Sequence, residues 1–167
     1  MNKEITNINN WRQEETRISD LYYWIYKLDI DFDFPYQETS IELIADHDAN
    51  GDDITQFDFN FIRNIIDNID FYFEKAIVGI KEEIKKDSGS FGLSENKISF
   101  YEKVEIKNFP VNQPNIIFYR NDEWMIRFAE ADFPTVEHGL GIGITFRKDE
   151  ITDISILDSD ETIDEDM

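Results

Sequence analysis

Cysteine is absent from this chain, which excludes disulfides, thiolate nucleophiles and cysteine-based zinc sites together. Histidine occurs only as His47 and His138, and two histidines without a cysteine argue against a zinc enzyme. Long apolar runs are missing too. The longest, Leu21 to Tyr26, falls far short of the ~20 residues that span a bilayer. Residues 1–17 are polar and lack the apolar segment of a secretory signal, so the expected address is the cytoplasm. Basic residues are scarce, with 16 Lys plus Arg against 37 Asp plus Glu and a formal net charge of −21 over 167 residues. Such a surface repels phosphates, so neither direct nucleic-acid binding nor an anionic membrane is expected. A strongly basic partner or a cation is what the charge attracts.

Aromatic residues, in contrast, are plentiful. Fourteen Phe, seven Tyr and three Trp exclude disorder for most of the chain. A chain of this length most simply makes one domain and buries roughly 70% of its unfolded surface. Residues 1–17 show no sustained period and read as a loose arm or short helix. From Tyr23 to Phe34 the pattern alternates: Trp24, Tyr26, Leu28, Ile30, Phe32 and Phe34 on one parity, Asp29, Asp31 and Asp33 on the other. Period two predicts a strand with one buried face and three aspartates on the other, closed by Pro35. Ser40 to Ala45 reads as its hairpin partner, and Asp46 to Asp53 as a polar Asn-Gly turn.

One long helix is predicted over about residues 56–86. Apolar residues recur there in steps of three and four from Phe61 to Ile84, and Thr55 with Asp58 resembles a capping box. Gly79 is a candidate kink, and Lys81, Lys85 and Lys86 suit the C-terminal end of the helix dipole. Strand patterns then cover 98–107, 115–120, 123–130, 140–148 and 151–157, with Asn121-Asp122 and Lys148-Asp149 as hairpin turns. The expected fold is α+β, an antiparallel β-sheet of about six to seven strands packed on one long α-helix. No internal repeat or linker divides the chain, so residues 1–157 read as one domain. Residues 158–167 carry six acids and no base and form an acidic tail, which leaves −15 for residues 1–157.

Between Lys27 and Arg63 there is no basic residue, while ten acids fall in the same stretch. This charge reads as a docking face whose field steers a basic partner, against a plain solvated surface as the alternative. The candidate contact residues are Asp29, Asp31, Asp33, Asp46, Asp48, Asp52 and Asp53. A second candidate is calcium. Asp46, Asp48, Asn50, Gly51 and Asp52 reproduce the first half of an EF-hand loop, but Phe57 stands at the twelfth position and Asp58 comes one residue late. The candidate ligands are Asp46, Asp48, Asn50, Asp52 and Asp58, and the alternative is an Asx-rich turn capping the helix. Otherwise no cofactor is expected.

Gly139-Leu-Gly-Ile-Gly143 runs into a strand rather than a helix, so it reads as packing and not as a phosphate loop. Glu137 and His138 are neighbours that point to opposite faces of a strand, which suits turn chemistry better than an acid–base pair. No nucleophile elbow or Walker motif occurs, and the chain does not read as an enzyme.

Several segments resemble a known group. Trp124-Met-Ile-Arg-Phe128, Asp132-Phe-Pro134, Glu137-His-Gly-Leu-Gly-Ile142 and Ile151 to Leu157 follow one another in the C-terminal third. Before them come a strand, an acidic turn with Asp53-Ile-Thr55, and a helix containing Ile65-Ile-Asp-Asn68. This order, over about residues 20–157, resembles small bacterial domains common among immunity proteins of polymorphic-toxin and contact-dependent inhibition systems. The resemblance implies a binding protein that neutralises a basic toxin, often a nuclease, by occluding its substrate surface. A calcium-responsive binding module and a scaffold domain with no dedicated ligand are the alternatives.

Overall fold

Seven strands lie side by side in chain order and make one sheet. The computed structural model describes residues 3–14, 21–26, 30–46, 53–136 and 140–157. The strands are β1 (Trp11–Glu14), β2 (Leu21–Tyr26), β3 (Ser40–Asp46), β4 (Val111–Phe118), β5 (Glu123–Ala131), β6 (Ile142–Arg147) and β7 (Glu150–Ile156). Helices α1 (Phe59–Asp67), α2 (Ile69–Lys86) and α3 (Glu95–Lys103) all fall between β3 and β4. The α+β class is as expected, but the sheet is mixed. β3 and β4 run parallel, and every other neighbouring pair is antiparallel. A parallel pair needs a crossover, and the helical segment is that crossover. None of the described helices is long and apolar enough to cross a membrane.

Strand alternation sorts the core. Trp24, Leu43, Phe118, Trp124 and Phe146 oppose one another in one row across the sheet, and Ile41, Ile116, Ile126 and Ile144 in the next. All are buried, as are the inward residues of α1 and α2 that cover them, from Ile62 to Ile84. Trp124 is the centre of this packing. Its ring stacks between Phe118 and Phe146, with centroids 5.7 and 4.3 Å away, and Tyr72 of α2 meets it edge-on at 4.9 Å. Its indole N–H donates to the Lys148 carbonyl at 2.8 Å, so the one polar atom of the ring is satisfied at the β6–β7 turn.

The predicted helix over 56–86 is two helices. Asp58, not Thr55, is the N-cap of α1, its Oδ1 accepting from the amides of Asn60 and Phe61 at 3.1 Å each. The break falls at Asn68 rather than Gly79. Asn68 leaves helical geometry (φ −114°, ψ 22°) while its side-chain amide donates to the Asn64 carbonyl at 2.8 Å, a local bond that competes with the helix ladder. Gly79 lies inside α2, where a Cβ would stand 2.9 Å from Ile151 Cδ1 and 3.0 Å from Ile154 Cδ1. It lets the helix close on β7.

Two expected strands are corrected. Residues 98–107 hold the end of α3 and a 3₁₀ turn at Ile106–Asn108. Ile98 and Tyr101 share a helical face, whereas Phe100, which a strand would put on the same face as Ile98, is 62% exposed. The strand read over 23–34 ends at Tyr26. Residues 30–36 keep the alternation without a ladder: Phe32, Phe34 and Tyr36 pack around Phe73 of α2 at 5.0–5.6 Å, while Asp31 and Asp33 face solvent. Period two marks an extended chain with one buried side, whether or not a neighbour bonds to it.

At the N-terminus, β1 is an edge strand. Trp11 is buried against Tyr26, and its indole N–H donates to the Ile5 carbonyl at 2.9 Å, with Ile5 itself buried. Both hairpin turns form where expected, with Asn121 (φ 65°), Asp122 (φ 62°) and Lys148 (φ 53°) in the left-handed region.

Replacing Trp124 with Ala should therefore destabilise the fold by about 3–5 kcal/mol, the usual cost of deleting a buried large aromatic. Urea denaturation followed by circular dichroism measures it.

Candidate functional site

The acidic residues divide into two sets at opposite ends of β3. Asp31 and Asp33 lie at its start. The Asp33 carboxylate accepts from Lys107 Nζ at 2.5 Å, and its backbone amide donates to Asp70 Oδ1 at 2.7 Å. Lys107 precedes β4, which runs parallel to β3 and so begins at the same end. Asp46, Asp53 and Asp58 come at the far end, about 20 Å away for a strand of this length. There Asp46 pairs with Leu21 across the ladder, and Asp58 borders a small cleft shared with Asn121 and Asp122 of the β4–β5 turn. The structure therefore does not bring Asp31 and Asp33 together with Asp46 and Asp53. Asp29, Asp48, Asn50 and Asp52 lie outside the described residues, as do His47, Glu137, His138, Gly139 and the acidic tail.

At the far end, two carboxylates are engaged locally. Asp53 Oδ1 accepts from the Thr55 amide at 2.9 Å and from the Thr55 hydroxyl at 2.6 Å. Those bonds hold its carboxyl below the ordinary 3.8 and keep it ionised. Asp58 caps α1. In place of a Thr55–Asp58 capping box, two aspartates cap two successive helical turns. The segment before the Asp-rich stretch is a strand, as the sequence predicts. Among the described residues no three His, Asp or Glu side chains converge as a metal site would need.

Gly143 and Gly141 have separate packing roles. Gly143 sits in β6 where a Cβ would stand 3.1 Å from Met125 Sδ. Gly141 adopts φ +79°, and a Cβ there would fall 1.8 Å from the Phe128 carbonyl oxygen. Only glycine fits that approach.

The polar constellation that sequence reading missed lies on the sheet face away from the helices. Glu42 of β3 is its centre. Asn115 Nδ2 donates to Glu42 Oε1 at 3.0 Å and to Ser40 Oγ at 2.8 Å, and the Ser40 hydroxyl donates to Glu42 Oε1 at 3.1 Å. Tyr23 of β2 also bonds to Glu42. Its phenol is pushed well above the ordinary 10.0, first by burial and then by the Glu42 carboxylate. Tyr119, next to the β4–β5 turn, is raised by burial and by Glu123 and Glu42. The Arg127 guanidinium opposes both shifts, and its Nε donates to the Leu140 carbonyl at 2.8 Å.

Half-buried Ile25, Ile44 and Met125 flank this network. A groove of about 410 Å³ opens beside it between Leu21, Ile44, Tyr119, Arg120 and Glu123, at the end of the sheet where β3 enters the Asp-rich loop. Aromatic and aliphatic groups thus share one face of the sheet with Glu42, Glu123, Arg120 and Arg127. The alternation of Ile41, Glu42 and Leu43 was legible. That Glu42 meets Asn115 depends on the parallel β3–β4 pairing, which joins residues far apart in the chain.

Raised phenols, Tyr36 and Tyr72 as well as Tyr23 and Tyr119, couple stability to alkaline pH. A folded-state value above the unfolded 10.0 leaves stability intact below pH 10 and removes it as pH rises through the folded value. Unfolding should begin above pH 10, and Glu42→Gln should bring Tyr23 ionisation closer to 10.0 in a near-ultraviolet pH titration. Comparison of the chain with protein-family models, curated proteins and solved structures found no match.

Proposed function

We propose that this protein is a non-enzymatic immunity protein of the cytoplasm, binding and neutralising a basic toxin domain, such as a nuclease, through its acidic surface. One observation carries the reading: the chain has 37 Asp plus Glu against 16 Lys plus Arg, and among the described residues no charged side chain is buried, so their excess of acids is expressed at the surface. A field of that kind draws in a basic protein and repels nucleic acid. Carboxylates then take the place of nucleic-acid phosphates as the toxin's electrostatic partner. The two acidic sets do the steering: Asp31 and Asp33 at one end of β3, with Asp29 preceding them in the sequence, and Asp46 and Asp53 at the other, with Asp48 and Asp52 between them in the sequence. Affinity comes from apolar and aromatic groups beside them, with Leu21, Ile44 and Tyr119 of the end groove as anchor positions. The resemblance of residues 20–157 to immunity domains supports the same reading.

The protein, immobilised and presented with lysate in which neighbouring toxin loci are expressed, should retain one basic protein that elutes late in a salt gradient and is lethal when expressed alone. For the purified pair, the association rate should fall about tenfold or more from low to high salt. It should fall again when either acidic set is changed to Asn. An association rate indifferent to salt and to both sets of changes would overturn the acidic-surface mechanism.

A further inference from the structure

We infer that the outer edge of β7, with the groove between β7 and α2, accepts an extended segment of a basic protein as an eighth strand. β7 ends the sheet, and among the described residues no strand pairs with its outer side. It is seven residues long and contains neither proline nor lysine, the residues that commonly blunt an edge. The opposite edge, β1, has only four residues.

The orientation of its backbone groups follows from one bond. The Leu157 amide donates to the Gly141 carbonyl at 3.0 Å, towards β6. Alternation then turns the amides of Ser155 and Asp153 the same way and those of Ile154 and Ile156 outward. A row of outward amides and carbonyls is the template for strand addition.

Beside that row lies a groove of about 370 Å³ lined by Gly79, Glu82, Glu83 and Lys86 of α2 and by residues 151–154 of β7. The missing side chain of Gly79 brings the helix against Ile151 and Ile154 and so makes the wall of the groove. Lys86 pairs with Glu83 at 3.9 Å, Glu82 is exposed on the α2 side of the groove, and Asp153, opposite Thr145 on the other face of β7, is exposed along the same edge. The lining therefore favours a strand bearing Lys or Arg. A second copy of this chain is the wrong occupant, because antiparallel β7–β7 pairing would bring Asp153 towards its own counterpart between two bodies of charge −21. Asp153 thus guards the edge against self-pairing and selects a basic strand. The inference rests on the proposed function only for the sign of the partner's charge, and it uses a different surface.

The test uses the full ¹⁵N-labelled chain and two end-capped peptides of about eight residues, the length of an ordinary strand. One alternates Lys with Val. The other keeps every Lys but replaces Val with Pro, so it carries the same charge and cannot pair. The Lys-Val peptide should slow hydrogen exchange of the Ile154 and Ile156 amides about tenfold or more while leaving Ser155 unchanged. The Lys-Pro peptide should not, and Asp153→Lys and Glu82→Lys, both on the exposed lining, should each weaken binding.

Equal effects of the two peptides would overturn the inference in favour of diffuse charge. No change at Ile154 and Ile156, with or without binding elsewhere, would overturn it as well. Protection of those amides without peptide, together with a dimer in sedimentation, would assign the edge to a second copy. Failure at β7 leaves a salt-sensitive toxin partner standing, whereas loss of that partner leaves peptide binding at β7 standing, so the two readings fail separately.

Discussion

The parallel pairing of β3 with β4 is the constraint on which the rest of the architecture depends. Two parallel neighbours cannot be joined by a tight turn, so the chain must leave the end of β3 and return to its start. All three α-helices lie in that return. Because α1 and α2 pack on one face, the rows through Trp124 and Ile126 become core and the rows through Glu42 and Arg127 become an open face. The same pairing places Asp46 and Asp53 at one end of β3 and Asp31 and Asp33 at the other. Among the described residues the sheet is then an ordered series with β1 and β7 at its edges.

How much of this could be read from sequence depended on the range of the interaction involved. The β4–β5 and β6–β7 hairpins were legible because their turns are local: Asn121-Asp122 and Lys148-Asp149 carry the backbone conformation that a tight hairpin needs. The inward faces of α1 and α2 were legible from Ile62 to Ile84. The break between them was not, since Asn68 is a polar residue on a polar face until its side chain is seen to take the Asn64 carbonyl. α3 was misread because Ile98 and Phe100 alternate as a strand would. Only the burial of Tyr101 and the exposure of Phe100 distinguish the two periods.

The segment 30–36 shows the same limit from the other side. Its alternation correctly assigned inside and outside but said nothing about hydrogen-bond partners. The aspartates were visible as a group in the sequence, while their separation to the two ends of a strand was not. The Glu42 network lay beyond reach for the same reason as the mixed sheet. Ser40 and Glu42 meet Asn115 only once a crossover of helices has brought β4 alongside β3.

Surface charge and sheet edges bear on one another in this fold. A strongly acidic protein resists self-association everywhere, so its edges need little of the lysine or proline that neutral sheet proteins use. β1 is kept short, and β7 carries Glu150 and Asp153 together with an irregularity in its pairing opposite Thr145 and Phe146. Glu150 is drawn to Lys75 at 3.6 Å and is partly compensated, whereas Asp153 is exposed at the middle of the edge. Repulsion between copies is symmetric and excludes the chain from itself, yet it turns to attraction for any partner of opposite sign. An acidic composition that opposes pairing with another copy is therefore also what would admit a basic protein, both to the field around β3 and to the backbone of β7.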